Sequence, residues 1–106
     1  MQKQELTTEI IEKRNKALVL VSELTGIGVE DIMGTCRKDP IVLARHLVMW
    51  VLVNRFGVTT INTGLLMHRK SSSVVHGVSV INTDYRKSVK RYVEQIKQRL
   101  NGTEIK

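Results

Sequence analysis

The sequence predicts one all-α domain, a small bundle of about six helices. Apolar residues recur at helical spacing in several segments, and glycine, proline or helix-capping residues separate those segments. Hydrophobic residues make up 42% of the chain and charged residues 25%, which is the composition of a globular protein. With 106 residues, the chain has the length of one domain and can bury one modest core.

The first helix is predicted from about Thr8 to Leu24, and Gly26 is suited to the left-handed position that ends it. A short second helix, Val29–Met33, is expected to stop at Gly34. The apolar residues that share one face of the first helix are Ile10, Ile11, Ala17, Leu18, Val21 and Leu24.

A small basic loop, Thr35–Lys38, leads to a strong helix start signal at Asp39-Pro40. Aspartate favours the N-cap position, and proline fits the first helical turn. The third helix is predicted from Pro40 to Phe56 and is apolar nearly all round, as expected of a central, buried helix.

A fourth, short helix is predicted to begin with Thr59 or Thr60 as its cap and to run through Leu66. A tight turn, His68–Lys70, would then lead to a fifth helix capped by Ser71 or Ser72. The residues expected to face inward from that helix are Val74, Val75, Val78 and Ile81. Their β-branched character also fits a strand, but the caps and the neighbouring segments favour a helix.

The last helix is predicted to follow Asp84 as its cap. Its apolar stripe comprises Tyr85, Val89, Tyr92, Val93, Ile96 and Leu100. Its other face carries six cations, Arg86, Lys87, Lys90, Arg91, Lys97 and Arg99.

Positive charge is concentrated in the later two thirds of the chain. The net charge is +7, and it divides into −2 over residues 1–36 and +9 over residues 37–106. A basic segment of this size favours a polyanion partner over a merely solubilising surface.

The sequence does not predict a membrane protein, a secreted protein or a disulfide-linked protein. The longest apolar run, Leu47–Val53, is far shorter than the roughly 20 residues of a membrane helix, and Met1–Glu5 shows no signal-peptide pattern. Cys36 alone makes neither a disulfide nor a cysteine metal cluster. We therefore expect a cytoplasmic protein with no membrane contact.

Catalysis is not expected either. The chain has no phosphate-binding P-loop or dinucleotide fingerprint, and its histidines lack the spacing of metal ligands. Ser71–Ser73 with His76 could suggest a nucleophile and its base, but a helix start followed by a surface histidine explains the same residues more simply. No enzyme activity, cofactor, metal ion or small-molecule substrate is predicted.

The segment from Thr59 to Thr83 predicts a helix-turn-helix, because it contains two helices joined by a short turn and the second helix begins with small polar residues. In such a motif the N-terminus of the second helix enters the major groove of DNA, and flanking cations neutralise phosphates. The residues with this chemistry are Arg69, Lys70, Ser71, Ser72 and Ser73. From this pattern alone, a plain helical hairpin fits equally well.

Two motifs resemble the C-terminal DNA-binding domain of the bacterial chromosomal replication initiator family, DnaA. The first is the run from Ile27 to Arg45, which resembles the start of that domain. The second, Arg69–Gly77 (RKSSSVVHG), resembles the family signature Arg-Asp-His-Thr-Thr-Val-Leu-His-Ala. The resemblance covers about residues 18–100 and implies a TrpR-like helix-turn-helix bundle.

The resemblance also implies roles for individual residues. Arg37 matches an arginine that the family's basic loop inserts into the minor groove, and Lys38 and Arg45 match basic or phosphate-contacting positions nearby. Thr60 falls near the start of the first helix of the motif, where contact with the DNA backbone is usual. The residues that match the recognition helix are Arg69, Ser72, Ser73 and His76. For Arg45 a surface cation, and for His76 a packed or capping group, are equally good interpretations.

Four departures from the signature bear on the target sequence. Lys70 replaces an acidic residue, Ser71 replaces a histidine that the family uses at the bases, His68 replaces the turn glycine, and Gly77 replaces an alanine. The ATPase module that precedes this domain in DnaA has no counterpart in the sequence, which contains no Walker motif.

The resemblance thus implies sequence-specific binding of double-stranded DNA, similar to recognition of a replication origin, in replication initiation or its regulation. Two alternatives stay open: a helical module that docks to replication proteins, and weak, non-specific RNA binding. An aromatic content of 4% argues against single-strand recognition by base stacking.

Overall fold

The computed structural model describes residues 7–104, and the side chains of residues 7–101. Met1–Glu5, on which the expectation of no signal peptide rests, lies outside this part of the chain. The helices are α1 (Thr8–Thr25), α2 (Val29–Met33), α3 (Ile41–Trp50), α4 (Thr60–Met67), α5 (Ser71–Thr83) and α6 (Lys87–Glu104). No strand occurs between residues 7 and 104, so the all-α prediction is confirmed and the strand interpretation of Val74–Ile81 is wrong.

Local signals in the sequence fix both ends of α1. The Thr7 hydroxyl accepts a hydrogen bond from the backbone N–H of Ile10 at 3.2 Å, which satisfies one of the N–H groups left without a partner in the first turn. Gly26 adopts the left-handed conformation at φ 78°, and its N–H donates to the carbonyl of Ser22 at 2.8 Å. The predicted bounds of α1 and α2 agree with the structure to within one residue.

Helix α3 forms the centre of the molecule and packs against α1, α2 and α5. It continues beyond Trp50 as a single π-helical turn, Val51–Arg55, in which the N–H of Phe56 donates to the carbonyl of Val51. Its buried side chains include Ala44, Leu47, Val48, Met49, Trp50, Val51 and Leu52. The apolar run from Leu47 to Val53 is therefore core, as a helix that is hydrophobic all round requires. Within residues 7–104, every helix is too short or too polar to cross a bilayer.

The start of α3 differs from the prediction. The Asp39–Pro40 peptide bond is cis, Pro40 occupies the N-cap position, and no side chain caps the helix. The carbonyl of Lys38 accepts the N–H of Val42 at 3.0 Å, so a backbone group takes the place that the Asp39 carboxylate was expected to fill. Asp39 as the cap is therefore wrong.

The start of α5 also differs, because Ser71 is already its first helical residue. Lys70 occupies the N-cap position, where its side chain has no acceptor to offer. Its backbone carbonyl accepts the N–H groups of Ser73 at 3.0 Å and Val74 at 3.2 Å instead. Capping by Ser71 or Ser72 is wrong, and both serines lie in the first turn.

Val75 and Tyr85 were expected to face the core, but their side chains are 54% and 81% exposed. On α5 the buried face runs through Val74, Gly77 and Ile81, and Val75 lies outside it. Asp84 precedes α6 by three residues, and its carboxylate accepts the N–H of Arg86 at 2.9 Å. This turn places Tyr85 before the helix, so Asp84 is not the helix cap and Tyr85 is not part of the apolar stripe.

Candidate nucleic-acid interface

The loop of residues 34–38 and the N-terminal turns of α5 lie side by side, although more than 30 residues separate them in sequence. Between them is a groove of about 660 Å³. The side chains that line it belong to Thr35, Arg37, Val42, Arg45, His46, Met49, Arg69, Ser72, Ser73 and His76. Six of these ten were singled out from the sequence, and none of the ten is acidic.

The turn between α4 and α5 is held tightly against α4. His68 adopts the left-handed conformation at φ 60°, at the position where the family signature has glycine. The N–H of Arg69 donates to the carbonyl of Gly64 at 2.8 Å. A Cβ on residue 64 would lie 2.6 Å from the carbonyl oxygen of Arg69, so only glycine lets the turn approach this closely. The turn therefore fixes where α5 begins.

The first turn of α5 presents Ser71, Ser72 and Ser73 to solvent, and His76 is exposed one turn later. The first N–H groups of any α-helix have no acceptor within the helix and carry the positive end of its dipole. Together with short hydroxyl side chains, such a helix start suits a phosphate or the edge of a base.

Arg37 and Lys38 are exposed in the loop, and Arg37 reaches the groove. Arg45, by contrast, is only 6% exposed. Its Nε donates to the carbonyl of Ile32 and its Nη1 to that of Cys36, both at 2.8 Å, and its Nη2 donates to the carbonyl of Asp31 at 3.2 Å. Arg45 is thus not a surface cation, because its guanidinium is buried against the end of α2 and the loop. The phosphate contact that the resemblance implies for it stays a prediction.

His46 lines the groove and was missed in the sequence. Its ring meets that of His76 edge to face, with the ring centroids 5.7 Å apart. Burial, the neighbouring His76 and the charge of Arg45 lower the pKa of His46, and Asp39 partly offsets the shift. A polar residue in an otherwise apolar helix, directly after Arg45, was the signal that could have identified it.

Four predicted residues lie outside the groove lining. Lys70 and Ser71 are exposed at the start of α5, Lys38 is exposed beside Arg37, and Thr60 is the half-buried first residue of α4. Thr59 caps that helix, because its hydroxyl accepts the N–H of Asn62 at 3.1 Å. Within the described part of the chain, no three His, Cys, Asp or Glu side chains are grouped as a metal ion would require.

Comparison with known proteins finds a similarity to a DNA replication protein. The chromosomal replication initiator protein DnaA of Kosmotoga olearia is 28% identical over 89 residues, which cover 72% of this chain and 20% of that protein. The chain thus spans about one fifth of the length of this relative. No family model matches the chain, and no solved structure matches it either. The chain is therefore similar to one segment of DnaA.

Proposed function

We propose that this domain binds double-stranded DNA in a sequence-specific manner and takes no part in catalysis. The N-terminal turns of α5 enter the major groove, with Lys70, Ser71 and Ser72 nearest the bases. Arg37 reaches from its loop into the adjacent minor groove. The cellular setting is cytoplasmic, in the initiation of DNA replication or its regulation.

The groove between the loop and α5 carries this proposal. It brings Arg37 together with Arg69, Ser72, Ser73 and His76, and it contains no carboxylate among its lining side chains. Cations and hydroxyls without acidic neighbours suit a polyanion, because no side chain of the lining repels phosphate. The helix start beside them supplies N–H donors for the same ligand.

The similarity to DnaA supports the choice of duplex DNA over another polyanion, since the relative is a chromosomal replication initiator. Because the chain spans about one fifth of that protein, the proposal concerns reading of DNA and not the activity of the whole relative. The concentration of cations after residue 36 agrees with a phosphate-rich partner.

Selection of binding sites from random DNA duplexes tests the proposal. We expect enrichment of one sequence with an A·T-rich flank, and binding to that sequence that survives competition by a scrambled duplex. Arg37→Ala should lower affinity and flatten the preference for the A·T flank. Arg99→Gln is the matched control, because Arg99 is paired with Glu23 at 2.9 Å and lies outside the groove. Enrichment of no sequence, with equal binding to the scrambled duplex, would contradict the proposal.

A further inference from the structure

Two arginines from separate elements converge on the end of α2 and the loop that follows it. Arg45 projects from α3, and its guanidinium donates to the carbonyls of Asp31, Ile32 and Cys36. Arg69 lies in the turn before α5, and its Nη2 donates to the carbonyl of Gly34. Four carbonyls within six residues are thus held by two side chains.

The chemistry of these contacts explains why the arrangement is stable. Asp31 and Ile32 supply carbonyls at the end of α2, where the negative end of the helix dipole favours cations. The carbonyls of Gly34 and Cys36 lie beyond the helix and accept from the same two side chains. Arg45 and Arg69 repel one another, and burial together with the charge of Arg69 lowers the pKa of Arg45. Hydrogen bonds from a charged donor are stronger than those from a neutral one, and the carbonyls offset that repulsion.

Arg69 differs from Arg45 in what it joins. Arg45 fixes the loop to α3, which belongs to the core. Arg69 is two residues before the first residue of α5, so its contact with Gly34 links the loop directly to the start of the recognition helix. Arg37 is three residues beyond Gly34 on that same loop.

We propose that Arg69 is a positioning residue for sequence recognition, which locks the loop carrying Arg37 to the start of α5 so that both grooves of the DNA are read at one fixed spacing. This inference rests on the proposed function. It assigns to Arg69 a role other than the phosphate or base contact that the sequence motif implies. It predicts that Arg37 loses its selectivity when Arg69 is removed, although Arg37 itself is intact.

The test compares three duplexes built on the selected core sequence: one with the A·T flank, one with a G·C flank, and one with a base pair inserted between the flank and the core. We expect the wild type to prefer the A·T flank by at least about fivefold, the lower end of what one base-pair change costs. The duplex with the inserted base pair should bind no better than the duplex with the G·C flank, because a locked loop cannot follow the shift.

In Arg69→Met, the ratio of the affinities for the A·T and G·C flanks should fall close to one, as expected also for Arg37→Ala. The preference for the core sequence should be retained. Lys70→Met is the matched control, since Lys70 is the exposed next residue and its loss should weaken binding to both flanks equally. If Arg69→Met weakens binding to both flanks equally and keeps the preference, Arg69 is a phosphate contact and the inference is wrong. Arg69→Gln replaces Arg69→Met, with the same expectations, if the methionine variant does not fold.

A second measurement on the free protein separates this inference from the proposed function. Backbone amide order parameters of residues 35–38 should fall from about 0.85 in the wild type and Lys70→Met to below about 0.6 in Arg69→Met. Unchanged order parameters overturn the lock, whether or not DNA binds. If the order parameters fall in Arg69→Met but the wild type binds none of the duplexes, the proposed function and the role in recognition are both wrong. Arg69 is then a purely structural contact.

Discussion

Lys70 stands at the N-cap position of α5, exposed at the start of the proposed recognition helix, where the DnaA signature has an acidic residue. A carboxylate can only accept hydrogen bonds and suits an amino group such as N4 of cytosine, whereas lysine can only donate. Lysine therefore suits O6 and N7 of guanine or O4 of thymine. Reversal of donor and acceptor at one position should change the base pair preferred there.

We expect selection with wild type and with Lys70→Asp to yield different base pairs opposite residue 70, with discrimination of about 1–3 kcal/mol at that position. Ser71, which is shorter than the histidine of the signature, should make its neighbouring position less selective. Lys38→Asp controls for the simple loss of a cation, since it should weaken binding without changing that base pair. If wild type and Lys70→Asp choose the same base pair, Lys70 contacts only phosphate.

His46 links the groove to the stability of the fold. Because burial, His76 and Arg45 lower its pKa below the ordinary value of 6.5, the folded protein binds fewer protons at this site than the unfolded chain does. The contribution of His46 to stability is then complete above pH 6.5 and is lost as the pH drops from there through the lowered pKa of the folded state. Asp39 acts in the opposite direction and limits the shift.

We therefore expect the free energy of unfolding to fall more steeply between about pH 8 and pH 5 in the wild type than in His46→Gln. Urea unfolding at several pH values gives the free energy of unfolding of both proteins. The carboxylates are the same in both, so their contribution cancels when one pH dependence is subtracted from the other. Equal slopes in the two proteins would show that His46 does not carry this dependence.

At the scale of elements, α5 lies unusually close to α3 at Gly77. A Cβ on residue 77 would be 2.7 Å from Sδ of Met49 and 2.9 Å from Cδ2 of His46, and both are closer than real Cβ contacts allow. Glycine inside a helix costs about 0.5–1 kcal/mol relative to alanine, so its presence here reflects the close approach of the two helices. His46 and Gly77 fit one another across this contact.

Gly77→Ala should lower the free energy of unfolding by about 1 kcal/mol, because overpacking costs about 1–3 kcal/mol and the gain in helix propensity offsets part of it. Ser79→Ala, on an exposed site of the same helix, should change it by less than about 0.5 kcal/mol. The cost of Gly77→Ala should shrink in a His46→Ala background, where the ring is gone. A stabilising Gly77→Ala in the wild-type background would show that the helices separate at little cost.

At the scale of the whole molecule, charge is distributed unevenly. Residues 37–106 carry thirteen Lys and Arg against four Asp and Glu, and the groove is lined by three arginines without an acidic side chain. A cation that neutralises a DNA phosphate releases a counterion, so the affinity falls more steeply with salt as the number of neutralised phosphates increases. Part of this positive charge therefore lies at the groove.

With about four to six phosphates neutralised, the slope of log K against log salt should be roughly −4 to −5. Lys38→Gln should reduce the magnitude of the slope by about one, whereas Arg99→Gln should leave it unchanged. Filter binding or fluorescence anisotropy from low to moderate salt measures these slopes. Retained affinity with a slope near zero would mean that the cations serve only solubility.

Local physics explains what could be predicted. The caps at Thr59 and Gly26, the apolar third helix and the period of the last helix from Val89 onward depend on neighbouring residues alone, and each agrees with the structure. The errors at Asp39, Ser71 and Val75 have another origin. At Asp39 and Ser71 the backbone carbonyl of the preceding residue took the place of the expected side-chain cap, and at Val75 the direction in which α5 packs decided the outcome.

The sequence by itself determined an all-helical domain, the bounds of most helices, and two basic motifs with the chemistry of an anion partner, since spacing, caps and charge are properties of neighbouring residues. Only the tertiary structure decided that the motif around Arg37 and the start of α5 share one groove, and that His46 lines it. It also decided that Arg45 and Arg69 donate to backbone carbonyls at the end of α2 and in the loop. Those facts depend on how α3 packs between α2 and α5, because contacts between residues far apart in the chain form only when the core brings their helices together.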